Sequence, residues 1–403
     1  MTPELKAHLE GPTPKRILAL DGGGVRGVVT IAFLERIEEK LRVQSGNPQL
    51  VLSDYFDLIG GTSVGSMLAT MLALGYEVAQ VRDRFEAWAP EIFKGRSSVI
   101  GPERFDARQL VNRVRSIVGN ETLDSDKLKT GLVIIAKRVD TGSPWVISNI
   151  PNMPYFKDSE HWIGNRHYEL WRLIRASTAA PFLFTPVKFT IHRDANGDIA
   201  EEGWFVDGGV SPHNNPALQM LMMAGFPSYK LGWTLTPDDL TLISVGTGHH
   251  RSKVMVDRPK LLSGWKRGTA RLVDEHLPED IEAAAFATET LRGVMGDSQI
   301  LALKLLQGLS HPRFSWRINS EINTLEGELL GLGGGLQHDL MRFQRYDLPL
   351  EMDLLPIDYD VDATKEQREA LHDMDNAANI PELDRLAREA AEKQVSAEDF
   401  PLS

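Results

Sequence analysis

The chain has no cysteine among its 403 residues. That excludes disulfides, thiolate metal sites and a cysteine nucleophile, and it fits a reducing compartment. Long apolar runs are also missing: none approaches the roughly 18 residues that a membrane span needs. Residues 1–15 carry Glu4, Glu10, Pro3, Pro12 and Pro14 without an apolar stretch, unlike a signal peptide. The expected location is therefore cytoplasmic. Positive charge is short as well: 44 Lys and Arg face 56 Asp and Glu, a formal net charge of −12. A general nucleic-acid binder is disfavoured on that ground. No repeat or low-complexity segment is visible, and no His/acid cluster has zinc spacing.

What is present is an ordinary globular composition. Apolar residues make up 42% and charged residues 25%, enough for a chain of this length to bury a core without staples. The acidity is concentrated at the end, where residues 351–403 hold fifteen acidic and five basic side chains. The preceding 350 residues are close to neutral.

Residues 16–20 (RILAL) read as a short buried strand, followed by a glycine turn and a helix over 28–42. A second such unit has a strand over 55–60 (YFDLIG) and a largely apolar helix over 64–74. Further strands are expected at Leu132–Ala136 and Leu240–Val245, and a hairpin turn at Asn196-Gly197. Strands alternating with helices predict an α/β fold with a mostly parallel sheet. Beyond residue 250 the texture changes. Helix is expected over 278–308 with a break at Gly293–Gly296, a loop at 331–335 (GLGGG), and short helices at 364–374 and 381–393, the last opened by Pro381.

Three glycine turns carry chemistry. Gly61-Thr62-Ser63-Val64-Gly65 has the G-x-S-x-G form between a predicted strand and helix. A nucleophile elbow needs a sharp turn there, with glycines that let strand and helix pass closely. The hydroxyl then stands at a helix N-terminus, where the dipole favours developing negative charge. Asp21-Gly22-Gly23-Gly24-Val25-Arg26-Gly27 is the second. Its Gly22, Gly24 and Gly27 also satisfy a dinucleotide fingerprint, but the acidic ribose partner expected about 20 residues on is missing. The other use of such a loop is an oxyanion hole, since glycine amides can point at a tetrahedral oxyanion. The third is Asp207-Gly208-Gly209, a carboxylate at a strand's carboxyl end, where α/β sheets place their sites.

Taken in order, DGGGVRG, GTSVG and DGG resemble the patatin-like phospholipase family. RASTAAP (Arg175–Pro181), the NNP after DGG and ISVGTG (Ile243–Gly248) match as well. The resemblance covers about residues 16–250. It implies a three-layer α/β fold, hydrolysis of phospholipid or other lipid esters, and a Ser–Asp dyad without histidine, metal or organic cofactor. Carried over, Ser63 is the nucleophile, Asp207 the base, and Gly22, Gly23 and Gly24 the oxyanion donors. Arg26, Gly61, Gly65, Gly208 and Gly209 support them. Ser66 departs from the small residue often found there. The domain expectation is a catalytic unit over 14–250 with a largely helical region over 251–403 packed on it.

Several alternatives stay open. His213, His249 and His250 follow Asp207, so spacing alone also permits a Ser–acid–His triad. A dinucleotide-binding enzyme using Gly22–Gly27 is the rival chemistry. A phospholipase effector of phage defence, switched on by a cyclic nucleotide, is the rival within the family. A non-catalytic lipid-binding or storage protein is disfavoured by the complete Ser63/Asp207/glycine set. Asp358, Asp360, Asp362 and Glu369 mimic a calcium loop, but Ala363 stands where the turn needs glycine. Residues 251–271 carry seven basic side chains and one acid, with Leu261, Leu262 and Trp265. That mix suits peripheral contact with a lipid headgroup layer, or a solvated loop facing the acidic C-terminus. The oligomeric state is not legible.

Overall fold

The short apolar runs become strands of one sheet, and the computed structural model describes residues 1–94, 105–181, 183–250, 279–310, 339–351 and 363–402. The strands are β1 (Lys15–Leu20), β2 (Leu58–Thr62), β3 (Gly131–Arg138), β4 (Pro144–Ser148), β5 (Val187–Arg193), β6 (Ile199–Asp207), β7 (Leu240–Val245) and β8 (Arg342–Tyr346). Their order is β5-β6-β3-β2-β1-β7-β8, with β4 also on β3. The run from β3 to β8 is parallel throughout, whereas β4, β5 and β6 pair antiparallel. The expected mixed α/β fold with a mostly parallel sheet is thus what forms. Every residue of β2 and β7 is buried, as befits strands covered on both faces.

Among the described residues the α-helices are α1 (Pro3–Glu10), α2 (Gly27–Ser45), α3 (Leu52–Tyr55), α4 (Val64–Ala73), α5 (Val78–Ile92), α6 (Ala107–Val118), α7 (Leu170–Ser177), α8 (Ala217–Gly225), α9 (Glu279–Gly308), α10 (Lys365–Ala370) and α11 (Ile380–Gln394). None is long and apolar enough to cross a membrane. Helix α4 is buried over its whole length, in keeping with its apolar sequence. Helix α11 packs its buried Leu383, Leu386, Ala387 and Ala390 inward and ties to the helices beside it by ion pairs. These are Glu392 with Arg36 at 2.6 Å and Asp384 with Arg82 at 2.7 Å.

Sheet register brings the site together. On β3, Ile135 pairs with Thr62 of β2 and the next residue, Ala136, with Asp207 of β6. Ile135 and Ala136 also pair with Val146 and Trp145 of β4, so β4 takes the opposite edge. Strands β2 and β6 therefore meet nose to nose along one edge of β3. The residue after Thr62 is Ser63.

Some expectations need correction. The strand expected at 55–60 starts only at Leu58; Leu52–Tyr55 is helical, with the Val51 amide donating to the Asp54 carboxylate at 3.0 Å. Helix α9 runs through Gly293–Gly296 without a break. Two glycines cost about 1 kcal/mol each, which burial of Leu303 and Leu306 in the same helix offsets. The helix expected at 364–374 stops at Ala370. Strand β8 was not expected at all. The turn at Asn196-Gly197 does join β5 to β6, with the Asn196 and Asp198 amides donating to Asp194 Oδ1 at 2.9 and 3.0 Å. Residues 251–271, the loop 331–335 and Asp358, Asp360 and Asp362 lie outside the described residues.

Candidate active site

Ser63 joins the buried strand β2 to the buried helix α4 with no room for a loop. Its backbone takes φ 55° and ψ −126°, a conformation that costs a side-chain-bearing residue about 1–3 kcal/mol. The flanking glycines make the crossing feasible. A Cβ on Gly61 would lie 2.1 Å from the Gly65 carbonyl carbon, and one on Gly65 would lie 2.3 Å from the Leu20 carbonyl oxygen. Ser177 steadies the turn: its hydroxyl accepts the Ser63 amide at 2.9 Å and donates to the Ile135 carbonyl at 2.6 Å. The hydroxyl and amide of Ser66 both reach the Ser63 carbonyl, at 2.6 and 2.9 Å.

The Ser63 hydroxyl donates to Asp207 Oδ2 at 2.6 Å. The other carboxylate oxygen accepts the Gly209 amide at 2.7 Å. Gly208 lies flat against β3, where a Cβ would meet the Ile135 carbonyl at 2.2 Å. Burial pushes the Asp207 pKa up to about 6, against the pull of the Ser63 hydroxyl, the Gly209 amide and the more distant Arg175. Burial also lowers Arg175, to about 10, with Asp207 opposing. Such a carboxyl is anionic at neutral pH yet a better proton acceptor than an exposed one.

The glycine loop reaches the same place from β1. Gly22, Gly23, Gly24, Arg26, Ser63 and Asp207 all line one cavity. The three glycines are not equivalent in their hydrogen bonding. The Gly22 amide already donates to the Asn214 carbonyl at 3.1 Å. The Gly23 and Gly24 amides have no partner among the described residues. Gly24 has φ +59° and lies under Met374, whose carbonyl accepts the Val25 amide at 2.8 Å. Arg26 is buried, with Nη1 3.0 Å from His250 Nδ1.

No histidine hydrogen-bonds Ser63 or Asp207 among the described residues. His213 stands closest in sequence, but it offers its carbonyl to Thr62 Oγ1 at 2.6 Å, and burial lowers its ring pKa. Nor do three or more His, Asp or Glu side chains gather to hold a metal among these residues. The rest of the cavity wall is mostly apolar, with Met67, Phe85, Trp88, Ile92 and Phe184 alongside the polar Thr178 and Asn214. This arrangement sets a hydroxyl hydrogen-bonded to a buried carboxylate in one cavity with two amides that have no partner among the described residues and a mostly apolar wall.

A family model described as patatin-like phospholipase matches residues 18–221, half of the chain. The chain belongs to the patatin-like phospholipase family. Patatin group M-1 of Solanum tuberosum is 31% identical over 246 residues, covering 58% of this chain and 60% of its own. A cGAMP-activated phospholipase of Vibrio cholerae is 30% identical over 250 residues, covering 58% and 64%. The match thus spans less than two thirds of either relative. Among solved structures, VipD from Legionella pneumophila aligns with 93% of this chain and 67% of its own at 11% identity and TM-score 0.33, too low to add to the family assignment.

Several residues of this patatin-like site were not visible in the motifs. Met295 and Gln299 come from α9: Met295 lines the cavity, and Gln299 accepts from Asn214 Nδ2 at 3.3 Å. Met374 covers the glycine loop, and Arg345 of β8 holds Asp21. Ser177, Thr178 and Asn214 did have a signal, as parts of the RASTAAP and NNP stretches.

Proposed function

We propose that this protein is a lipid acyl hydrolase that cleaves carboxylic esters of phospholipids through a Ser63–Asp207 dyad. The observation that carries the reading is the 2.6 Å hydrogen bond from the strained Ser63 hydroxyl to buried Asp207, at the head of an apolar cavity. Ser63 Oγ attacks the ester carbonyl and its proton passes to Asp207 Oδ2. The Gly23 and Gly24 amides receive the oxyanion; losing one such donor typically costs about 3 kcal/mol of transition-state stabilisation. Asp207 returns the proton to the leaving alcohol as the acyl-Ser63 ester forms. Water then attacks that ester, giving its proton to Asp207, which passes it to Ser63 Oγ as the acyl C–O bond breaks, so that the fatty acid leaves and both Ser63 and the Asp207 carboxylate are restored. The acyl chain lies along the Phe85, Trp88 and Phe184 wall.

The test is fatty-acid release from mixed phospholipid vesicles by wild type and Ser63→Ala. The substitution removes one oxygen and leaves almost no cavity, so the variant should fold and release nothing above background. Wild-type turnover by a folded Ser63→Ala would end this reading. A second reading, activation by a cyclic dinucleotide, draws on the Vibrio cholerae relative. It predicts that added cGAMP raises the release rate, and an unchanged rate rejects it. Peripheral contact through the basic segment 251–271 is tested by exchanging Lys260, Lys266 and Arg267 for Gln. Activity on anionic vesicles should fall, and hydrolysis of a small soluble ester should not.

A further inference from the structure

Asp21 directly follows β1 and begins the glycine loop. Its carboxylate is fully buried. Arg345 Nη1 and Nη2 donate to its two oxygens at 2.9 and 2.6 Å, and Gln299 Nε2 adds a third bond at 2.7 Å. The same guanidinium reaches Ser244 Oγ at 2.7 Å and Asp347 Oδ2 at 2.6 Å. Asp347 Oδ1 in turn accepts the Gly248 amide at 2.7 Å, while the neighbouring Thr247 hydroxyl donates to the Gly22 carbonyl at 2.9 Å. The start of the glycine loop is therefore held at Asp21 by a guanidinium carried on the edge strand β8, and at Gly22 by Thr247, whose neighbour Gly248 joins the same network through Asp347.

We propose that Arg345 is a positioning residue for the reaction: its fork on Asp21 sets the direction in which the Gly23 and Gly24 amides point. The inference rests on the reading of Ser63 as nucleophile and adds to it. An oxyanion donor works only within a few tenths of an ångström of its productive place. Gly23 and Gly24 have no side chains to hold them; Asp21, at the start of the loop, is the charged side chain that ties it to the sheet, with Thr247 on Gly22 and Met374 on Val25 completing the support. A planar guanidinium fixes both carboxylate oxygens at once, which a lysine ammonium does not. Arg345 does not line the cavity. It acts through Asp21.

The experiment compares wild type, Arg345→Lys and Tyr346→Phe on a soluble acyl ester, with binding of an acyl trifluoromethyl ketone as the second readout. That ketone forms a tetrahedral adduct on a serine and so reports on the oxyanion hole. Arg345→Lys should lower kcat about tenfold or more with KM within about twofold, because only transition-state contacts are lost. Its affinity for the ketone should fall by the same factor. Tyr346→Phe loses the 2.5 Å bond to Asp399 from the next position of β8 and should keep kcat. If Arg345→Lys fails to fold, Asp21→Asn serves instead, since it leaves Arg345 paired with Asp347; the same kinetic loss is expected.

A folded Arg345→Lys with wild-type kcat overturns the proposal, and so does a kcat loss without matching loss of ketone affinity. Equal loss in Tyr346→Phe would mark a general loosening of β8 and overturn it too. A wild type with no esterase turnover and no fluorophosphonate adduct at Ser63 brings down the reading of Ser63 and this inference with it. An active wild type beside an unaffected Arg345→Lys brings down this inference alone.

Discussion

Asp21 and Asp207 look alike in sequence and behave differently in the fold. Asp207 is the last residue of β6 and Asp21 directly follows β1, each is followed by at least two glycines, and each is buried. Burial pushes both carboxyls up to about 6. Their partners separate them. Asp21 faces the Arg345 guanidinium in a two-point contact, so a proton placed on it would leave that buried cation with Asp347 as its one remaining carboxylate partner among the described residues. Asp207 is hydrogen-bonded by a hydroxyl and a backbone amide, neither of them charged. It can take a proton from Ser63 and give it back. On the proposed function, two buried aspartates serve as anchor and as base according to what stands opposite.

The strongest way to break this contrast is Asp207→Asn. An amide cannot accept the Ser63 proton, so turnover should fall by about 10³–10⁴. Folding should not suffer. The folded pKa of about 6 lies above the ordinary value near 3.9, so the charged form costs stability, increasingly as pH rises from 4 through 6. At pH 7 the Asn variant should melt at or above the wild-type temperature, and the difference should vanish near pH 4. A variant that melts well below wild type at pH 7 would place Asp207 among the anchors.

Asp21→Asn should cost stability although burial raises its carboxyl as far as that of Asp207, because the amide nitrogen would face a guanidinium donor where a protonated carboxyl would keep an acceptor oxygen. It removes charge-assisted bonds to a guanidinium that stays paired with Asp347, a loss of about 2 kcal/mol in denaturant unfolding. Unchanged stability would erase the distinction between the two carboxylates.

A pH profile sharpens the contrast without mutation. Asp207 must be anionic to act, so kcat should decline as pH falls through about 6, roughly tenfold per unit below that point. A flat profile from pH 7 to 5, measured on a soluble ester by a folded enzyme, would reject Asp207 as the base. The smallest effect is expected from His213→Ala. That ring hydrogen-bonds neither member of the dyad, so turnover should stay within about threefold, the range of an ordinary surface or packing change. A loss as large as that of Asp207→Asn would restore the triad.

The parts of the site that were legible in sequence are those whose chemistry is local. Strands β1 and β7 and helix α4 announce themselves as short apolar runs, and the elbow and DGG turns as glycines at fixed offsets. Strand β8 (RFQRY) carries two arginines and a glutamine in five residues, so no apolar pattern marks it. Its Phe343, Gln344, Arg345 and Tyr346 are buried all the same. The break expected at Gly293–Gly296 failed for the opposite reason: a local helix penalty was outweighed by packing that the local sequence does not contain.

What the amino-acid sequence determined by itself was the family, the order of the three glycine turns and the identity of the serine and the aspartate they carry. Backbone geometry restricts those turns to few residue types, so they leave a readable trace. The rest was decided by tertiary structure. Register along β3 sets Thr62 and Asp207 on consecutive partners, the Asn214 carbonyl takes the Gly22 amide, and Met295, Gln299 and Arg345 arrive from segments beyond residue 250. Contacts between side chains hundreds of residues apart follow from packing and hydrogen-bond satisfaction in three dimensions, and these impose no spacing on the chain.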